Sequence, residues 1–337
     1  LAEYIKRLLD EAEDPISLLF EPVSESSLQI FEKSRHEDLP AFKSQNEAVK
    51  WYLKGLNESG LCLMDNLKRH PNPLTQLRLF NFFCIFHLVR YMALLEAFYC
   101  GENIRPVLLD FSGIAPSQSS VARASEMAYT QMHKSINRFY AWGYAQKLKE
   151  KDYSKEDLLQ SETPVYDEKK KASVEFSTLW NLAKERASAC ATDDAARLVF
   201  GETMYDMLAL EASSHPVNCL KILGTSAGML YPPDQMHPNK RFVLSQDILE
   251  MILRSTVSPD EVLSGNDMRN RLWERFGIII GGSTYEIEKL QSSGMLLQID
   301  EDSLERNFTS FAALLESMDF AEVMADGILQ IRLGGSD

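Results

Sequence analysis

A long apolar stretch from Leu77 to Cys100 constrains the fold of this chain more than any other feature. Its sequence, LRLFNFFCIFHLVRYMALLEAFYC, is apolar on nearly every side of a helix. Such a helix must be enclosed by other protein elements or by lipid. Ionisable residues interrupt the stretch, and each costs about 2.5–3.5 kcal/mol at the centre of a bilayer. The stretch therefore predicts the central helix of a soluble helical domain.

Four residues of this stretch form a predicted buried polar cluster: Arg78, His87, Arg90 and Glu96. Arginines close to a protein core usually pair with buried carboxylates. We therefore interpret the cluster as structural. Its members are expected to fix the packing of the helix rather than to bind a ligand.

Helical patterns dominate the rest of the chain, which predicts a mainly α protein. A second long helix is predicted over about Ser119–Lys151, after a run of capping residues. Residues 147–171 are dense in charge and poor in apolar residues, which indicates a linker or an insertion. The prolines of Tyr231-Pro-Pro-Asp and His237-Pro-Asn predict a rigid break. We therefore expect a large helical-bundle domain over residues 1–230.

The C-terminal part of the chain, residues 240–337, has a different pattern. Several short helices are predicted here, the first beginning after the capping residue Ser245. The dipeptide Asp326-Gly327 lies between two apolar runs, which is the signal of a β-hairpin. Short helices closed by a hairpin describe a winged-helix-like domain.

Composition is that of a globular protein, with 45% hydrophobic and 25% charged residues. Five scattered cysteines without a C-x-x-C pair are typical of reduced thiols in the cytoplasm. No Walker A motif, dinucleotide fingerprint or zinc-protease motif occurs in the sequence. Di-metal carboxylate bundles use Glu-x-x-His motifs, and the chain has none. The sequence thus predicts no catalytic residue, no cofactor and no bound metal.

One alternative is a metal-dependent nuclease or hydrolase, which needs an acidic residue on one strand and Glu-x-Lys on the next. Asp110 lies in a short apolar run that fits either a buried strand or an extended connector. Glu168 and Lys170 supply the tripeptide, within a polar segment rather than an apolar strand. A solvated run of charge is therefore the favoured interpretation of Glu168–Lys170.

The distribution of charge favours a protein partner over nucleic acid. Residues 244–337 contain 17 Asp or Glu and 7 Lys or Arg, and the whole chain carries −14. Contact with phosphates dominates non-specific DNA affinity, and an acidic surface repels phosphates. Arg269, Arg271 and Arg275 form the local basic stripe that could contact DNA or a partner. Direct DNA binding by a winged helix is accordingly the second alternative.

Several short sequence segments within the last 120 residues resemble a known group of proteins. They are Gly224-x-x-x-Gly228-Met-Leu-Tyr-Pro, Phe242-Val-Leu-Ser-x-Asp-Ile-Leu, Arg271-Leu-x-Glu-Arg-Phe-Gly-Ile-Ile-Ile-Gly-Gly, Asn307 and Ala325-Asp-Gly. In these phrases the chain resembles uncharacterised helical accessory proteins of bacterial multi-gene phage-defence clusters of the restriction type. The resemblance implies a cytoplasmic, non-catalytic interaction subunit that works beside an ATPase or a nuclease, without membrane association.

Overall fold

The computed structural model describes residues 46–101, 103–164, 174–211, 216–235, 237–293, 299–325 and 327–333. Over these residues the chain forms eleven α-helices and seven short strands, which confirms the mainly α prediction. The helices are α1 Glu47–Arg69, α2 Pro73–Cys100, α3 Ser120–Glu150, α4 Lys155–Gln160, α5 Val174–Ser188, α6 Asp193–Glu211, α7 Pro216–Ser226, α8 Gln246–Arg254, α9 Gly265–Phe276, α10 Thr284–Ser292 and α11 Glu301–Ser317. The strands are β1 Val107–Leu108, β2 Leu230–Tyr231, β3 Arg241–Phe242, β4 Val262–Ser264, β5 Ile278–Ile279, β6 Ala321–Val323 and β7 Leu329–Arg332.

Local sequence sets many of the helix ends. At the start of α1, the Asn46 side chain accepts a hydrogen bond from the Ala48 N–H. Ser245, Ser264 and Asp300 cap the starts of α8, α9 and α11 in the same way. A side-chain oxygen at this position satisfies an N–H that the helix itself leaves unpaired.

Two compact units make up the chain. The first contains the described residues of Leu1–Tyr91, Asn103–Thr130 and Ile222–Asp337, and the second those of Met92–Glu102 and Gln131–Lys221. This division differs from the predicted one, which placed a boundary between residues 230 and 240. The reason is strand pairing, because β1 and β5 lie far apart in sequence and hydrogen-bond to each other within the first unit.

The apolar helix α2 contributes residues to both units. In the first unit, Tyr52 on α1 donates a hydrogen bond to the His87 carbonyl at 3.0 Å. In the second unit, Ser135 on α3 donates to the Ala93 carbonyl at 3.4 Å. Among the described residues α2 alone is long and apolar enough to cross a membrane, by length and composition. Its most apolar window is 56% buried within the protein, as in core helices that pass the same test.

Three small sheets lie in the first unit. β1 pairs with β5 in parallel, with Val107 opposite Ile278. β2 pairs antiparallel with β3, and a third sheet has the order β4-β7-β6 with both pairings antiparallel. The run that contains Asp110 therefore begins as a buried strand, one of the two structures predicted for it, rather than as an extended connector. The polar groups that follow β1 and β5 then meet at one edge, because both strands end on the same side.

The second unit has its own core, formed by α4, α5 and α6. The rings of Trp180 and Phe200 meet edge to face at 4.8 Å, and Leu158 is buried beside them. Leu158 lies inside the predicted linker 147–171, so part of that segment is a packed helix. Ser154 and Asp157 form a capping box that starts α4, a local signal hidden by the charge of the segment. Residues 165–171 lie outside the described part.

Candidate functional site

The polar groups at the carboxyl ends of β1 and β5 form what we call the strand-end network: Asp110, Arg241, Arg269, Glu286 and Asn307. In parallel sheets, this is the edge at which ligands commonly bind. Asn307 connects the two strands from the middle of α11. Its Nδ2 donates to the Leu109 carbonyl at 2.8 Å and the Ile280 carbonyl at 2.7 Å. Its Oδ1 accepts from the Phe111 N–H at 2.7 Å.

Asp110 is fully buried and is held by internal partners. Its Oδ1 accepts from the Ser112 N–H at 2.9 Å and from the Ser112 hydroxyl at 2.6 Å. Its Oδ2 lies 3.1 Å from Nε of Arg241, which forms a buried ion pair. The same arginine donates to the Ile114 carbonyl at 2.9 Å and lies 5.2 Å from the ring centre of Tyr231. The negative charge of Asp110 is therefore neutralised inside the protein.

Glu286 is the second buried carboxylate of the network. Its Oε1 accepts from the N–H groups of Ile280 and Gly281, each at 3.0 Å. Its Oε2 accepts from the N–H and the hydroxyl of Ser283, which completes a capping box at α10. Nη1 of Arg269 lies 3.8 Å from this oxygen. Four charge-assisted hydrogen bonds make Glu286 a structural anchor for the turn after β5.

The chemistry open to the strand-end network follows from these partners. Each carboxylate accepts hydrogen bonds from N–H and O–H donors and has a guanidinium beside it. The Asp110–Arg241 and Glu286–Arg269 contacts are ion pairs without hydrogen-bond geometry. Within the described ranges, no three His, Cys, Asp or Glu side chains come together in a way that could hold a metal ion. Glu168 and Lys170, the other members of the hydrolase hypothesis, lie outside the described residues. What the network does is join β1, β5, α10 and α11.

The three arginines proposed to contact DNA or a partner are engaged within the chain. Arg271 makes a two-pronged pair with Glu261, at 2.8 and 2.6 Å. Nη1 of Arg275 donates to the Ser255 carbonyl at 2.6 Å, near the C-terminal end of α8. The guanidinium of Arg269 lies 4.1 Å from the centre of the Phe308 ring. Their contact with DNA or a partner stays a prediction, and it would have to compete with these internal partners.

The four residues of the predicted buried cluster do not come together. Glu96 is buried in the second unit, where its Oε2 accepts from Nη2 of Arg138 at 2.9 Å. Arg78 belongs to the first unit and differs from the prediction, because its side chain is 45% exposed. It pairs with Asp247 at 3.1 Å on the surface. His87 and Arg90 are buried in the first unit, one helical turn apart on α2.

His87 and Arg90 are both buried in that core but differ in their charge at pH 7. Burial, and then the charge of Arg90, lowers the pKa of His87 to about 3, so the imidazole is neutral at pH 7. Burial lowers the pKa of Arg90 to about 10, so the guanidinium stays charged. A Cβ added to Gly277 would lie 2.7 Å from Nη2 of Arg90, which therefore packs against the end of α9. A cation there is stabilised by the negative end of the helix dipole.

The tip of the β6–β7 pair carries exposed apolar side chains that the sequence did not single out. Val323 is 45%, Met324 39% and Ile328 50% exposed. They belong to the acidic C-terminal part, with the exposed carboxylates of Glu316 and Glu322 nearby in sequence. The signal available was the phrase Ala-Glu-Val-Met before Asp326, in which apolar residues continue into the predicted turn.

Comparisons with protein families, with curated proteins and with solved structures give no match to this chain.

Proposed function

We propose that this chain is an interaction subunit of a cytoplasmic multi-protein complex, and that its acidic C-terminal part binds a partner protein. The observation that carries the proposal is the balance of charge in residues 244–337, with 17 acidic and 7 basic residues. The seven basic residues already include the arginines of α9, so a net surplus of acidic residues remains in this part of the chain. A surface of one sign attracts a partner of the opposite sign and speeds their association.

A winged-helix-like module is part of the proposal. The order of elements supports it: α8, β4 and α9 precede α11, and the strands β6 and β7 close the chain. β7 lies between β4 and β6, so the last two strands, β6 and β7, form one sheet with the short strand β4. β5 and α10 lie between α9 and α11 as additional elements. Winged helices bind either DNA or proteins, and the acidic charge favours proteins here.

The class of partner comes from the resemblance to accessory proteins of phage-defence clusters. On that basis we propose an ATPase or a nuclease as the partner, with antiviral defence as the setting. Asn307, one of the residues that carry the resemblance, is the bridge between β1 and β5. Its place in the core makes it a determinant of the fold, so the partner class rests on the resemblance alone.

Purification of the tagged full-length chain from its native host, with its neighbouring genes present, tests this function. We expect a stoichiometric partner that is released by salt, because screening weakens attraction between surface charges. Replacing Asp302 and Glu305 by lysine on the exposed face of α11 should weaken the association. Glu175→Lys together with Glu185→Lys, two charge reversals at exposed positions of α5 in the second unit, is the matched control. The absence of any stoichiometric partner under mild lysis would refute the proposal.

The hydrolase alternative has a separate test. Asp110 would have to leave its ion pair with Arg241 to ligate a metal. The buried guanidinium of Arg241 would then lack a partner, which is energetically costly. The interaction subunit alone is expected to show no turnover of DNA with Mg²⁺ or Mn²⁺. Cleavage that disappears in an Asp110→Ala variant, with the fold intact, would favour the hydrolase.

A further inference from the structure

One of the two edge strands of the three-stranded sheet is β6, Ala321–Val323, which pairs on one side with β7. The register is fixed by the Met324 N–H, which donates to the Ile328 carbonyl at 2.9 Å. Residues of an antiparallel pair alternate between hydrogen-bonded and non-hydrogen-bonded positions. Met324 and Glu322, which are two residues apart, therefore hydrogen-bond to β7. Ala321 and Val323 direct their backbone N–H and C=O groups away from the sheet.

This outward edge is covered by a side chain rather than by a strand. The Val323 N–H donates to Oε1 of Glu316 at 3.3 Å, a long hydrogen bond in an exposed position. Glu316 lies in the last turn of α11 and is exposed to solvent. Over the described residues no further strand pairs with β6. An incoming strand could therefore replace Glu316 as the acceptor for this N–H.

The apolar side chains at the same edge favour a strand-like occupant. Val323, Met324 and Ile328 are between 39% and 50% exposed. The register places Val323 on one face of the β6–β7 pair, and Met324 and Ile328 on the other. Successive side chains of an added strand point to opposite faces of the sheet and can cover apolar residues on both. Burial of apolar area then adds to the backbone hydrogen bonds.

Charge decides which occupant fits. Glu316, Asp319 and Glu322 are exposed beside the edge. Arg332 lies 3.7 Å from Glu322, and both side chains are more than 60% exposed, so their pairing is weak. Arg254, 5.8 Å from the Phe320 ring, is already paired with Glu250. A second copy of this chain would bring the same carboxylates together and be repelled. A basic strand would instead meet three carboxylates.

We propose that the outer edge of β6 is a docking site for a short, basic, β-forming segment of a partner protein, which joins the sheet as an added strand. This inference rests on the proposed function and names the chemistry of the partner. In the bound state, a carbonyl of the partner accepts from the Val323 N–H. The released Glu316 carboxylate then pairs with a lysine or arginine of the added strand.

The test uses the full-length chain, isotope-labelled for NMR, and the blocked peptide Lys-Val-Lys-Val-Lys-Val-Lys as the probe. We expect the peptide to shift the amide signals of β6 and the tip, and the charge-reversed Glu-Val peptide to have no effect. Ala321→Pro should weaken binding by about tenfold or more, because proline removes an outward N–H but no bond to β7. Val323→Ala should also weaken it, whereas Val262→Ala, an exposed valine on β4, should not.

Other results of the binding and sedimentation measurements overturn the proposal. Equal binding by both peptides, shifts spread over the acidic surface, or unchanged binding by Ala321→Pro would reduce the effect to general electrostatics. A dimer in sedimentation that Ala321→Pro abolishes would make a second copy the occupant. If Ala321→Pro does not fold, as judged by circular dichroism, the valine pair decides. A partner that co-purifies equally well with these variants would refute the edge as the docking site and leave the interaction function intact.

Discussion

Replacing Asn307 by leucine tests whether the strand-end network holds the first unit together. The amide makes three short hydrogen bonds to backbone groups of Leu109, Phe111 and Ile280. Each bond contributes about 1 kcal/mol net. Leucine has a similar volume but neither donor nor acceptor, so two carbonyls and one N–H become buried without partners. We expect a loss of about 3 kcal/mol, with more if no water reaches the unpaired groups.

Two measurements check the Asn307→Leu result. Urea unfolding followed by circular dichroism gives the change in stability, and hydrogen exchange reports on the Phe111 amide directly. That amide should lose protection, because its acceptor is removed. Asn270→Leu, on the exposed face of α9, is the control and should stay within about 0.5 kcal/mol of wild type. An unchanged urea midpoint, or full protection of the Phe111 amide, would refute the role assigned to Asn307.

Three further predictions concern single residues. The pKa of Glu261 is lowered from 4.5 to about 2, chiefly by hydrogen bonds from Arg271. The resulting stability is present above pH 4.5 and lost as the pH falls through about 2, so Glu261→Gln should flatten the dependence of the urea midpoint on pH in that window. Gly277→Ala (φ 66°) should lower the melting temperature more than Gly101→Ala (φ 77°), because only the first Cβ meets a side chain. Equal losses would contradict this. Phe200→Ala should cost the second unit about 3–5 kcal/mol in urea unfolding, since its ring is fully buried against Trp180. A loss below about 1 kcal/mol would contradict the packing.

The helices were accessible from sequence because their causes are local. The predicted helix Leu77–Cys100 is observed as Pro73–Cys100, and Ser119–Lys151 as Ser120–Glu150. Helical periodicity repeats every 3.6 residues, and a capping side chain bonds to an N–H two or three residues away. Such signals need no knowledge of the rest of the chain.

In contrast, the sequence did not allow us to predict which charged side chains of α2 are buried. Because the helix is apolar on nearly every side, its periodicity does not indicate which polar residues face solvent. Arg78 pairs on the surface with Asp247, whereas Arg90 packs against Gly277 in the core. Both neighbours arrive from the C-terminal part of the chain, more than 150 residues away.

The same limit applies to the site. From the sequence alone, Arg269, Arg271 and Arg275 are a basic stripe, since residues three or four apart share a helix face. Their engagement depends on Glu261, on α8 and on α11, whose positions relative to α9 are set by packing. Sequence by itself determined the helical class, the helix ends and the acidic charge of the C-terminal part. Tertiary structure decided the pairing of β1 with β5, the partners of each arginine and the open edge at β6, because all three depend on contacts between segments distant in the chain.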